Sequence, residues 1–245
     1  MMRHVRLVPV FLLGAIALGL GAHGFADDGD DRRERRRAEV IPFAISRIFI
    51  EFNASGNDLG FHIFLDAEDW KELRILHPNG RTIFEVEGKG GFGKLGMTEL
   101  FFEGAEPSLD DVPVAVLFGL FPEGDYRFIG RTVDGNILIG TGTLSHAVPA
   151  GPEVSADVDG GEDELVISWD PVTDPAEGFV RPVTIVGYQV IVEKFQVTVP
   201  ASITSVTVTP EFVASLSEGE HPFEVLAIDE SGNQSITEGT FTLER

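Results

Sequence analysis

From Ile45 onward the chain is written in short extended runs closed by turn-forming residues, and this rhythm constrains the fold more than any other feature. Residues 46–52 (SRIFIEF) run into Asn53-Ala-Ser-Gly-Asn-Asp-Leu-Gly60, and residues 61–65 form the next extended run. Residues 73–76 and 82–86 flank Pro78-Asn79-Gly80, while residues 126–132 and 137–144 flank Asp134-Gly135. Asn-Gly and Asp-Gly adopt the positive φ that a tight hairpin needs. The pattern predicts an all-β protein made of sandwiches. One segment differs. Ser108-Leu-Asp-Asp111 offers a helix cap and early acids, Pro113 and the apolar residues 114–121 follow, and Pro122 and Gly124 stop the run. A single short helix is expected there.

The extended runs fall into two sets, which predicts two β-sandwich domains, at 39–147 and 153–245. The Val148-Pro-Ala-Gly-Pro152 segment between them is a short, stiff linker over 148–152. No tandem repeat of fixed period is visible.

The N-terminal residues have the three-part layout of a secretory signal peptide. Arg3 and Arg6 precede an apolar stretch at 7–20, and Gly24-Phe25-Ala26 supplies small residues for cleavage after Ala26. That stretch is shorter than the roughly 20 residues a membrane span needs. The expectation is a signal peptide at 1–26, no membrane span after cleavage, and a secreted or periplasmic protein with no visible anchor. Residues 27–38 begin DDGDDRRERRR, a block with nothing to bury, and are expected to be a disordered charged tail.

Charge and cysteine content exclude several classes. The 245 residues hold 18 Lys plus Arg against 40 Asp plus Glu and no Cys. From Ala38 on, 11 basic side chains face 35 acidic ones, because 7 of the 18 and 5 of the 40 come earlier. A body so acidic cannot neutralise phosphates, so nucleic acid is excluded as a partner. The absence of Cys rules out disulfides, thiolate metal sites, a Cys nucleophile and a lipid anchor on Cys. An exported chain of this kind depends on packed cores alone.

The second set carries a family resemblance. Leu165-Val-Ile-Ser-Trp169-Asp-Pro171, Gly187-Tyr188-Gln-Val190 and Phe223-Glu-Val225-Leu-Ala227-Ile-Asp229, closed by Ser231-Gly232-Asn233, together resemble a fibronectin type III domain over 152–245. The resemblance implies a small immunoglobulin-like sandwich with Trp169 and Tyr188 in its core. His221 departs from it, standing where such domains place a corner tyrosine. An imidazole contact in place of the corner hydroxyl bond, or no bond at all, is the expectation. Taken whole, the chain is similar to short secreted bacterial proteins that contain a fibronectin type III domain, which implies an architecture and no activity.

Motifs suggestive of chemistry are few. Gly91-Phe-Gly93-Lys-Leu-Gly96 fits the G-x-G-x-x-G pattern, and residues 88–94 fit the start of a phosphate loop, yet Leu95 stands where Ser or Thr binds magnesium. A strand, not a helix, is expected next, so a glycine-rich loop outweighs a nucleotide site. His62, His77, His146 and His221 are not spaced as zinc pairs, and no Ser sits in a G-x-S-x-G elbow. No catalytic residue is assigned, and an enzyme is not expected. Calcium has the best physical case among cofactors, with Glu51, Asn53, Asn57, Asp58 and Asp66 as candidate oxygen ligands around one loop. A second acidic cluster, Asp157-Val-Asp159-Gly-Gly-Glu162-Asp163, competes with ordinary turn chemistry. Trp70 is the candidate for stacking on a sugar.

The sequence therefore predicts an exported, non-catalytic binding or interaction protein of the cell envelope or extracellular space. Its partner would be an envelope or extracellular protein, or a glycan. The alternatives are a carbohydrate-binding accessory module and a glycan-active enzyme. Binding is expected through loops, with 53–60 and 229–234 the first to test.

Overall fold

A computed structural model describes residues 37–159 and 164–244. The expected signal peptide, the tail up to residue 36 and part of the second acidic cluster lie outside the described residues.

The chain is all-β. In the first lobe, β1 (Val40–Pro42), β2 (Ile45–Asn53), β3 (Asp58–Leu76), β4 (Thr82–Glu87), β5 (Met97–Glu103), β6 (Gly124–Thr132) and β7 (Ile137–Leu144) surround one core. The long strand β3 serves two layers. Its first half pairs with β2 and β5, and its second half pairs with β4 and β6. Register shifts between Asp66 and Glu72 mark the change, as bulges do where a strand bends from one sheet layer to another. Apolar side chains alternate along these strands, so Ile48, Ile50 and Phe52 of β2 point into the core that Trp70, Tyr126 and Phe128 fill.

The second lobe is an immunoglobulin-like pair of sheets. β8 (Val154–Asp159), β9 (Glu164–Trp169) and β12 (Ser205–Val208) form one sheet in the order β12-β9-β8. β10 (Ile185–Val192), β11 (Phe195–Pro200), β13 (Gly219–Asp229) and β14 (Gln234–Leu243) form the other in the order β14-β13-β10-β11. Trp169 and Tyr188 are buried between them with ring centroids 5.2 Å apart, as the resemblance implies.

Three short helices occur among the described residues, so the expectation of a single helix in the first lobe is corrected. α1 (Gly90–Leu95) lies in the first lobe with α2 (Val114–Leu120), and α3 (Pro210–Ser215) in the second. α1 escapes sequence reasoning because its six residues include three glycines and carry no apolar period. α2 begins at Val114 behind Pro113, and the Ser108 carbonyl and hydroxyl instead hold a preceding turn.

The lobes join through their sheets. Gln234, Ser235 and Ile236 of β14 pair in parallel with Glu51, Phe52 and Asn53 of β2, which makes one sheet of 11 strands across both. The described residues from Ala38 onward form one compact unit. Val148 and, from the second lobe, Ala176 and Phe179 pack into the first core.

A corner motif recurs in both lobes. Glu123-Gly124-Asp125-Tyr126-Arg127-Phe128 follows α2, and Glu218-Gly219-Glu220-His221-Pro222-Phe223 follows α3. Gly124 and Gly219 adopt φ of 133° and 123°, a region that favours glycine and lets the chain turn from helix to strand. The Tyr126 hydroxyl donates to the Pro122 carbonyl at 3.1 Å, and His221 Nε2 bonds the Ser217 carbonyl at 2.8 Å. Each ring thus ties its strand to the residue four positions upstream. The imidazole takes the place of the corner hydroxyl.

Candidate functional site

The five expected calcium ligands do not come together. Asp66 stands eight residues along β3 from Asp58, roughly 26 Å at the rise of an extended strand. Asn53 is used within its own turn: its Oδ1 accepts from the Ser55 and Gly56 amides at 2.9 Å, and its Nδ2 donates to Glu238 at 2.8 Å. Asn57 donates to Asp110 at 3.0 Å. Asp58 opens β3 in a bridge with Ser108. Asn53 and Asp58 do stand opposite one another in the β2–β3 register, but Asp66 is carried away along β3 and Asn53 and Asn57 are committed to other partners, so the five do not form one ligand set.

Trp70 is 1% exposed in the first core, so neither face of its indole is available to a sugar. Tyr126, Tyr188 and Trp169 are buried as well, which accounts for both Trp and both Tyr of the chain. A stacking platform of these residues is thereby removed. The loop after β13 is also not a free recognition loop. Asn233 is 1% exposed, accepts from the Ile50 amide at 2.7 Å, and donates to the Ser145 and Ala147 carbonyls at 2.8 and 2.9 Å. It binds the second lobe to the first. The loop at 53–60 lies beside a cavity of about 610 Å³ at the lobe junction, lined by Phe52, Asn57, Leu109, Glu177 and Phe179 among others.

Of the expected metal ligands, Glu51 alone belongs to a convergent set. Glu51 on β2, His62 on β3 and Glu106 after β5 place one ligand atom each within 4.8 Å of the others. Hairpin register builds the first pair: Glu51 is opposite Gly60, and His62 lies two residues on, so both project from the same face. Glu106 is brought over that face where the Gly104 amide bonds the Phe61 carbonyl at 2.9 Å. Gln234 Nε2 donates to Glu51 Oε2, while Glu51 Oε1 is 3.8 Å from His62 Nε2. His62 is fully buried between Phe49 and Phe101, at centroid distances of 5.0 and 5.9 Å. Burial lowers its imidazole to about 4, so at neutral pH the ring is uncharged and its contact with Glu51 is not an ion pair. The hairpin pair was legible from the turn at 53–60; nothing in the sequence marks Glu106, whose approach depends on the path after β5.

The glycine-rich segment at 88–96 holds the other notable feature. It folds as the short helix α1 in place of the expected loop, with none of its residues buried, and the expected strand, β5, follows. Phe92 is 64% exposed and Leu95 78%. Lys89 and Lys94 flank them, with Lys89 paired to Glu87. Two large apolar side chains three residues apart thus stand in water on an acidic body, as Leu120 and Val180 do elsewhere. Among the described residues no helix is long and apolar enough to cross a membrane.

No protein-family model matches the chain, and comparison with curated proteins finds no match. Solved structures with similarity include the central fibronectin-III array of RIM-binding protein, at 12% identity and a TM-score of 0.30, covering 87% of this chain and 66% of that one. A bacterial ice-binding adhesin is similar at 15% identity and a TM-score of 0.28, covering 85% of this chain and 67% of the adhesin chain. The spore cortex lytic enzyme of Clostridium perfringens is similar at 18% identity and a TM-score of 0.30, covering 39% of this chain and 28% of the enzyme. The chain spans less than two thirds of the first two solved structures so matched. The fold itself is defined by the strand order and pairing of the two lobes.

Proposed function

We propose that this protein is an exported, non-catalytic interaction protein that binds a protein partner of the cell envelope or extracellular space through the apolar tip at 88–96. We further infer that its second lobe is a fibronectin type III domain serving as rigid scaffold for that display. The observation that carries the reading is the exposure of Phe92 and Leu95 on a six-residue helix with no buried residue. Exposed aromatic and aliphatic side chains that share a tip are what a protein interface buries at its centre. Lys94 beside them favours an apolar notch with an acidic rim on the partner, and the acidic body disfavours anionic surfaces at large. A scaffold of packed sheets holds such a tip rigidly enough to bind by preorganisation, without covalent chemistry.

The test is a cross-linked pull-down from the native envelope and medium with the parent chain and with Phe92→Ser/Leu95→Ser. A specific protein captured by the parent and lost with the double variant is the expected result. Equal capture by both chains would place binding elsewhere and defeat the reading. Turnover of a glycan by the parent chain would overturn its non-catalytic part.

A further inference from the structure

We propose that Glu51, His62 and Glu106 form a binding site for a divalent transition-metal ion of the zinc class. The first ground is convergence: two carboxylates and an imidazole, from three separate segments, bring ligand atoms within 4.8 Å of one another. In tetrahedral zinc coordination, with bonds of about 2.0–2.2 Å, neighbouring ligand atoms sit about 3.4 Å apart. Modest side-chain rotation covers the difference.

The second ground is independent of the acids. His62 is 0% exposed, and neither of its ring nitrogens has a hydrogen-bond partner. Burying a polar nitrogen without a partner is unfavourable, and native proteins almost always satisfy such groups. A metal ion bound at Nε2, the nitrogen facing Glu51, gives that lone pair its partner. Phe49 and Phe101 beside the ring keep competing water from it.

The third ground is that the surroundings are shaped for the carboxylates. A Cβ on Gly60 would come within 2.7 Å of Glu106 Cγ and 3.0 Å of its Oε1. Only glycine leaves that cradle open opposite Glu51. Gln234, from the other lobe, donates to Glu51 Oε2 and leaves Oε1 turned toward the imidazole. Such outer hydrogen bonds are how proteins aim metal-ligating groups.

Ligand type decides the ion. Calcium and magnesium take six or more oxygens, whereas one imidazole with two carboxylates suits zinc and its first-row neighbours. Three protein ligands leave a fourth position for water or an incoming group.

The experiment uses the full chain after EDTA treatment and dialysis, with zinc chloride titrated calorimetrically and cobalt chloride followed by visible absorption. One zinc per chain is expected, with tetrahedral cobalt bands. His62→Gln and Glu106→Gln each weaken zinc binding by about 100-fold or more, and Gln234→Ala, a positioning residue, by about tenfold. Glu106 is only half-buried, so Glu106→Gln supplies a folded variant should His62→Gln unfold, with circular dichroism as the check. Absence of stoichiometric zinc binding by the folded parent, or unweakened binding by folded Glu106→Gln, overturns the proposal. Displacement of zinc by millimolar calcium chloride would overturn the choice of ion. Because the site is distinct from the tip at 88–96, its failure leaves the proposed protein-binding role untouched.

Discussion

Glu224 shows how one side chain sets a pH dependence for the whole body. It sits on β13 directly opposite Glu238 on β14. Burial first, and the Glu238 charge second, push its carboxyl up to about 7. The folded chain therefore retains a proton that the unfolded chain releases near the ordinary value of 4.5. Stability is greatest below that value and falls as pH rises through about 7, by at most about 3 kcal/mol before screening by solvent. Glu224→Gln is expected to remove most of this loss. Urea denaturation of parent and variant at pH 5 and pH 8 measures it, and equal midpoints for the two chains at pH 8 would refute the assignment. Like charges placed across a strand pair are also destabilising in themselves. A hairpin register is needed to see them, and the sequence alone shows only two acids among many.

At the scale of elements, the two helix-to-strand corners are the same device made with different rings. Tyr126 needs one hydroxyl bond, whereas His221 makes two contacts: Nε2 to the Ser217 carbonyl and Nδ1 to Glu193 Oε1 at 3.1 Å. His221→Tyr is expected to hold the corner with a change in stability under about 1 kcal/mol, and His221→Ala to lose about 1–2 kcal/mol as the carbonyl loses its partner. Thermal melts of the two variants test this, and an alanine variant as stable as the tyrosine one would show that the corner bond contributes nothing. The departure at His221 was legible in the sequence, and so was the string Glu-Gly-acid-ring-x-Phe at both places. Its meaning was not. The string becomes a corner only when a helix precedes it and a paired strand follows. α1 was hidden for the converse reason, since its glycines disfavour a helix and the surrounding strands impose the turn.

At the scale of the whole molecule, the join between lobes governs cooperativity. β14 and β2 would each be an edge strand if the lobes were separate, and their pairing covers one end of each edge over three residue pairs. Asn233 fastens the join with three hydrogen bonds, two of them buried, and the Ser235 hydroxyl donates to the Pro149 carbonyl beside it. Both lobes are expected to unfold in one transition despite their separate cores. Asn233→Ala strands the Ile50 amide and two carbonyls, costing about 3 kcal/mol or more, and is expected to separate the transitions. Differential scanning calorimetry reads this directly. Two transitions in the parent, or an unchanged single one in the variant, would contradict it.

The sequence by itself determined the local grammar of this protein. Alternating apolar residues and Asn-Gly or Asp-Gly turns dictate strands and hairpins, because side-chain period and backbone φ act over a few residues. It also determined the buried Trp169 and Tyr188 of the second lobe, through residues that resemble a known sandwich. What only the tertiary structure decided are the relations between distant segments. β3 bends between two layers, β14 pairs with β2, Trp70 turns inward, and Glu106 meets Glu51 and His62. Each depends on which faces of which strands meet, and that is set by burying both cores together over long sequence separations, which no local pattern encodes.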